Sequence, residues 1–172
     1  MRQRKFEKII AIKDKLFRLA FSIIGNREDA EDVVQETMLR VWNKQDSLDV
    51  IDNPEGYSMR AVRNIALDKL VLKENQNDRL SDTNASVMTR DHPDEILEKQ
   101  EQISLIYKLI EQLPEKQRTV MQLRDVEEMS YKEIARVMNI TEEQVKVTLF
   151  RARQKVKEYF KKINHYGLSK TD

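Results

Sequence analysis

Apolar residues along this chain recur at three- and four-residue intervals and never in an alternating run, so the pattern predicts helices and no strands. Phe6, Ile9, Ile10, Leu16, Phe17, Leu19, Ala20 and Ile23 predict one helix over 5–24, with Gly25 placed where a helix ends in the left-handed conformation. Asn26 then caps a second helix, with Glu28 and Asp29 in its first turn, running to about Lys44. Its wide apolar face is Val33, Val34, Thr37, Met38, Val41 and Trp42, and Trp42 is expected to lie partly in the core. Polar 45–52 forms a loop. Asn53-Pro54 restarts the helical pattern, with Asn as cap and Pro at the first position, through Tyr57, Ala61, Ile65, Ala66 and Leu70 to about Leu72. Residues 74–91 are polar throughout and read as a flexible linker. His92-Pro93-Asp94 opens a helix to about Gln112, Leu113-Pro114 breaks it, a short helix covers 115–124, and the tail from Gly167 should fray.

The densest local signal is Ser130–Lys157. Ser130 with Glu133 forms an S-x-x-E capping box, and Thr141 with Gln144 a T-x-x-Q box, so two helices start eleven residues apart with Asn139-Ile140 as the break. Small Ala135 allows a close crossing. Val145, Leu149, Ala152 and Val156 give the second helix one buried stripe, which turns Glu143, Lys146, Val147 and Phe150 outward with Arg151 and Arg153 flanking them and Thr148 between the faces. From Lys146 to Lys162 there are seven Lys/Arg and one acid, Glu158. That is the charge a helix-turn-helix needs to lay its second helix in a major groove among phosphates. A helical hairpin with a solvated basic face has the same periodicity.

Composition narrows the picture. With 172 residues, three Gly, three Pro and 6% aromatics, the chain suits an all-α protein of two small helical domains with modest aliphatic cores. The boundaries are 1–74 and 94–172, joined by a linker over 75–93. No Cys is present and the two His, His92 and His165, are far apart, so disulfides, thiolate metal sites, cofactors and resident metals are not expected. The Met-Arg-Gln-Arg-Lys start lacks a signal-peptide apolar run and no stretch approaches a membrane span, which leads to a cytoplasmic expectation. Net charge is only +1, yet it is segregated. Residues 1–18 carry seven bases and two acids, 26–40 five acids and two bases, and 74–101 eight acids and three bases. This segregation points to separate surfaces for separate partners. Gly-rich phosphate loops and nucleophile–His pairs are absent from the sequence, so no catalytic chemistry is expected.

Asp32, Gln35, Glu36 and Arg40 form an exposed acidic and amide-bearing face on the second helix, beside an aromatic end, which suits a protein partner. The run DAEDVVQETMLRVW, followed by NPEGYSMRAVRNIALDKL, a polar linker, LPEKQRTVMQLRDVEEMSYKEIA and VKVTLFRAR, resembles bacterial RNA polymerase sigma factors. It is most similar to the compact extracytoplasmic-function (ECF) group, which keeps only the second and fourth conserved regions. The resemblance spans roughly Lys13–Lys157. It implies that Asp32, Gln35, Glu36 and Arg40 dock on core RNA polymerase, at the clamp helices of its β′ subunit, with the β subunit a further contact. It implies that Tyr57, Arg60, Arg63, Asn64 and Lys69 serve the minus-10 element as single strand. It implies that Tyr131, Glu143, Lys146, Val147, Thr148, Phe150, Arg151 and Arg153 serve the minus-35 element as duplex, and that an anti-sigma factor is a further partner of a monomeric chain.

Three departures from the family pattern stand out. Glu127-Glu128-Met129 replaces a Gly before the Ser-Tyr, Val147-Thr148 replaces a Ser-Arg, and Tyr57-Ser58 replaces a Trp-Leu. Two other readings of the residues remain at this point, a dimeric operator-binding regulator and a helical adaptor for proteins alone. The first needs a dimer seam or effector pocket, and the second leaves the basic helix without a use.

Overall fold

A computed structural model describes the backbone of residues 2–44, 51–80 and 107–168, and side chains over 6–44, 51–76 and 107–162. All regular structure among the described residues is helical. The chain divides into two compact units, Met1–His92 and Pro93–Asp172.

In the first unit α1 is Arg2–Ala11, α2 Lys13–Ile24, α3 Arg27–Asn43 and α4 Pro54–Leu80. The single helix expected over 5–24 is therefore two. Ile12 sits at φ −99°, ψ 13° and donates its N–H to Ile9 O at 3.2 Å, a tightened turn that bends the path without Pro or Gly. The bend leaves α1 against α4, while α2 packs on both α3 and α4. Gly25, at φ 73°, ends α2 and donates to Phe21 O at 2.8 Å. Asn26 caps α3 by accepting from Asp29 N at 3.0 Å, and Asn53 caps α4 by accepting from Gly56 N at 2.9 Å. Ile9, Leu16, Leu19, Ile23, Val33, Val41, Met59 and Val62 are fully enclosed. Each such side chain contributes about 2 kcal/mol by leaving water. Trp42 lies only partly in the core: it stays 48% exposed and meets the Phe6 ring in a T-shaped contact, at 4.8 Å between centroids. Helix α4 continues eight residues past the expected end at Leu72. The loop expected over 45–52 and the linker and helix expected over 75–112 fall largely outside the described residues, although 107–111 is helical.

The second unit contains α5 (Glu115–Met121), a π-helical turn (Gln122–Val126), α6 (Tyr131–Met138) and α7 (Glu142–Leu168). Pro114 breaks the chain before α5 as the sequence requires. Buried Arg118 donates to Glu111 O at 3.0 Å and so satisfies the end of the 107–111 helix. The expected α-helix over 115–124 instead takes in an extra residue, and Glu127 N bonds Gln122 O, five residues back, at 3.1 Å. Glu128, at φ 57°, returns the chain so that Met129 N reaches Leu123 O at 3.0 Å. Both capping boxes form. Ser130 and Glu133 exchange bonds, as do Thr141 and Gln144, at 3.0 and 3.1 Å for the latter pair. Asn139, left-handed at φ 55°, closes α6, with Ile140 N on Ala135 O at 3.0 Å. Val145, Leu149 and Ala152 face inward, with Val156 half-buried at the margin. Helix α7 holds through Gly167, so the expected fraying there is not seen; 169–172 lie outside the described residues.

Candidate functional site

The rotation of α7 follows from its apolar stripe. At about 100° per residue, the side opposite Val145, Leu149 and Ala152 is that of Glu143, Val147, Phe150 and Gln154. The structure agrees: Val147 is 47% and Phe150 64% exposed, with Glu143, Lys146 and Arg151 also exposed and Thr148 half-buried. Val147 and Phe150 thus form an exposed apolar patch in the first turns of the helix. Tyr131, at the start of α6, is half-buried. Lys146 Nζ lies 6.0 Å and the Arg124 guanidinium 4.9 Å from its ring centroid. Arg124 also donates to Met129 O at 2.8 Å, which ties the π turn to the start of the helix-turn-helix.

Arg153 differs from the other bases of this helix. Its Nη2 is bonded to Asp125 Oδ1 and its Nε lies 3.4 Å from Oδ2. The hydrogen bond from Arg153 to Asp125 raises the guanidinium pKa above its already high ordinary value. Of the residues expected to meet the minus-35 element, Arg153 is thus the one paired with a carboxylate of the protein itself.

The first unit shows the same division. Asp32, Gln35, Glu36 and Arg40 lie exposed along α3, and Arg40 pairs with Glu36 at 2.5 Å. On α4, Tyr57, Arg60 and Asn64 share one outward face at i, i+3 and i+7, with Arg60 and Asn64 exposed and Tyr57 half-buried. Arg63 is half-buried at the edge of that face. Lys69 is not on it. It lies about 120° around the helix from Tyr57, toward α3, where it meets Asp29 at 3.2 Å and Asp32 at 3.0 Å. Lys73, one turn on, pairs with the same Asp29. Burial pushes the Asp29 carboxyl up, but the bonds from Lys73 and Lys69 outweigh it and hold the group below its ordinary value. Lys69 is likewise disfavoured by burial, yet Asp32 and Asp29 raise it overall.

Two family models match in order along the chain: Sigma-70 region 2 over residues 9–74 and Sigma-70, region 4 over residues 103–156. The chain is 29% identical over 166 residues to the ECF RNA polymerase sigma factor SigW of Bacillus subtilis, covering 91% of this chain and 89% of that one. The chain belongs to the ECF sigma factors. It is also 28% identical to SigE of Mycolicibacterium smegmatis over 87% of this sigma factor and 58% of that longer protein. In fold it is similar to the sigma factor RpoE from Bartonella quintana, solved in complex with the anti-sigma factor NepR, with a TM-score of 0.70 over 90% of this chain and 95% of that one at 24% identity. As a sigma factor it binds core RNA polymerase and directs it to specific promoters for transcription initiation. No described helix is long and apolar enough to cross a membrane.

Sequence reasoning missed Asp29, Lys73, Arg124 and Asp125 as members of these sites. Asp29 and Lys73 are 44 residues apart, and Asp125 and Arg153 are 28 apart. Only the packing of one helix on another joins them, and no local spacing announces it.

Proposed function

We propose that this sigma factor divides its work among three faces. The α3 face of Asp32, Gln35, Glu36 and Arg40 docks on core polymerase, at the β′ clamp helices with β as a further contact. The α4 face of Tyr57, Arg60 and Asn64, with Arg63 at its edge, receives the opened minus-10 strand by stacking and amide or cation contacts. Glu143, Lys146, Val147, Phe150 and Arg151 on α7, with Thr148 and Tyr131 beside them, meet the minus-35 duplex. Residues 1–74 carry the first two roles, 94–172 the third, and 75–93 join them. Lys69, bonded to Asp29 and Asp32, and Arg153, bonded to Asp125, stand outside these contact sets. The chain has no chemistry of its own, works in the cytoplasm as a monomer in the holoenzyme, and is restrained by an anti-sigma factor.

The observation that carries this reading is the exposure of Val147 and Phe150 beside Lys146 in the first turns of α7, the end of a recognition helix that enters the groove. Val147 offers a methyl surface for thymine, while Lys146 offers a donor to guanine. Transcription from a genomic fragment library with core polymerase tests it and yields the promoter motif. Lys146→Ala and Val147→Ala should change the preferred minus-35 sequence by about 1–3 kcal/mol per lost base contact. A motif unchanged in both variants rejects the placement of α7. On the docking face, Asp32→Ala with Gln35→Ala should reduce co-purification with core enzyme, while the exposed position limits the stability change to about half a kcal/mol. Undiminished co-purification rejects that assignment.

A further inference from the structure

Beside the outward face of α7 runs a shallow groove lined by Tyr131, Lys146, Phe150, Arg153, Gln154 and Lys157. With Leu149 at its base the lining is seven side chains, three of them cationic, and the groove lies on the flank next to Lys146, where a DNA backbone tracks if α7 sits in the major groove. One carboxylate stands against them. Asp125, presented by the π-helical turn, holds Arg153 by two of the guanidinium nitrogens. A guanidinium engaged in this forked way on a carboxylate has to give up those bonds to reach a phosphate, and a phosphate approaching it also meets the Asp125 charge. Arg151, on the opposite flank of the stripe, is exposed.

We propose that Asp125 is an affinity-setting residue for promoter binding: it holds Arg153 off the DNA backbone, so the sigma factor engages the minus-35 duplex with one phosphate contact fewer than its sequence offers. The inference rests on the reading of α7 as the helix that meets the minus-35 element. The geometry matches the task. The pair fixes α7 to the turn that precedes the helix-turn-helix, and Arg124 from the same turn stays with Tyr131 and Met129 O, so releasing Arg153 leaves the other anchor in place. Sequence-independent affinity is kept low by that arrangement, and base contacts carry a larger share of the binding.

The test is a salt titration of closed complexes between reconstituted holoenzyme and a labelled promoter duplex that the holoenzyme itself selects from a random library. Asp125→Asn keeps the shape and removes the charge. It should tighten binding about fivefold near 0.15 M salt and steepen the logarithmic salt slope by about 0.9, the value of one added phosphate contact. Arg153→Gln in the otherwise unchanged chain should alter affinity less than about twofold and leave the slope as it was; in the Asp125→Asn background it should abolish the gain. Arg151→Ala serves as the control and should flatten the slope by about 0.9. If Arg151→Ala leaves the slope unchanged, the placement of α7 on DNA is wrong and the proposal goes with it. If Arg151→Ala flattens it but Asp125→Asn fails to tighten binding, or Arg153→Gln alone flattens it, the placement stands and the proposal is overturned. The Arg153→Gln arm decides even if Asp125→Asn disturbs folding.

Discussion

Glu128 occupies a backbone conformation that suits glycine. Its φ of 57° places Cβ against the carbonyl oxygen, at a cost of about 1 kcal/mol for a residue that is neither Gly nor Asn. This is the stretch, Glu127-Glu128-Met129, where the sequence lacks the family's Gly before Ser-Tyr, and the structure shows which position bears the strain. Glu128 is exposed, so its side chain is not held by burial. Glu128→Gly should stabilise the second unit by about 0.5–1 kcal/mol, read as a higher urea midpoint at unchanged slope. An unchanged or lower midpoint contradicts it. Asn139 holds the same conformation between α6 and α7 at less cost, because Asn tolerates it. Asn139→Val should therefore destabilise by about 1–2 kcal/mol in the same assay. The Asn139 turn was legible because two capping boxes bracket it. Glu128 was not, because nothing in Glu-Glu-Met signals a left-handed residue.

At the scale of elements, the Asp29–Lys69–Lys73–Asp32 cluster fastens α3 to α4 and makes their packing sensitive to pH. The Asp29 value in the folded chain is depressed, so its contribution is complete above about pH 4 and is lost as pH falls through the lower folded value. The Lys69 value is raised, so its contribution is complete below about pH 10.4 and is lost as pH climbs through the higher folded value. Between those limits the cluster holds at full strength. Asp29→Asn should cost about 1–2 kcal/mol at pH 7, combining lost ion pairs with a lost charge at the α3 N-terminus. In urea unfolding tracked downward from pH 7, the variant and the parent should converge below pH 4; a constant gap between them across that range refutes the assignment. The helices themselves were legible from the 3.6-residue period, and their starts from Asn26, Asn53, Pro114, Ser130 and Thr141. The break at Ile12, the π turn and the extension of α4 to Leu80 were not. None of the three carries a Gly or Pro, and polar 74–80 has no apolar period to show that it is helical.

Across the whole molecule, each unit encloses its own aliphatic core and exposes its own charged faces. Charge segregation in the sequence foretold that division, because acids gather on α3 and bases on α7. It could not tell which charges are spent inside a unit. Lys69 and Arg153 looked like DNA ligands by type and helix, and both are bonded to carboxylates of a neighbouring element. The two units should accordingly fail in different ways. Asn64→Ala should impair promoter opening more than initial binding, seen as weaker permanganate reactivity of thymines in the melted region with near-normal closed-complex formation. Arg63→Ala, starting from a half-buried side chain, should combine the same defect with lower stability. Normal thymine reactivity in both variants removes the α4 face from the opening step.

The turn at 122–126 carries a consequence for how such a protein changes over generations. It holds one residue more than an α-helix of the same span needs. Deleting a single codon there restores ordinary pitch while the flanking helices keep their places, and the remaining side chains of the turn shift around its axis by up to about 100°, which carries the Asp125 carboxylate away from Arg153. A chain lacking Val126, put through the same salt titration, should show the steeper slope of Asp125→Asn. Promoter affinity in this fold is then adjustable by an indel in a turn outside the base-reading helix, and lineages can drift in promoter strength while every base-reading residue stays the same.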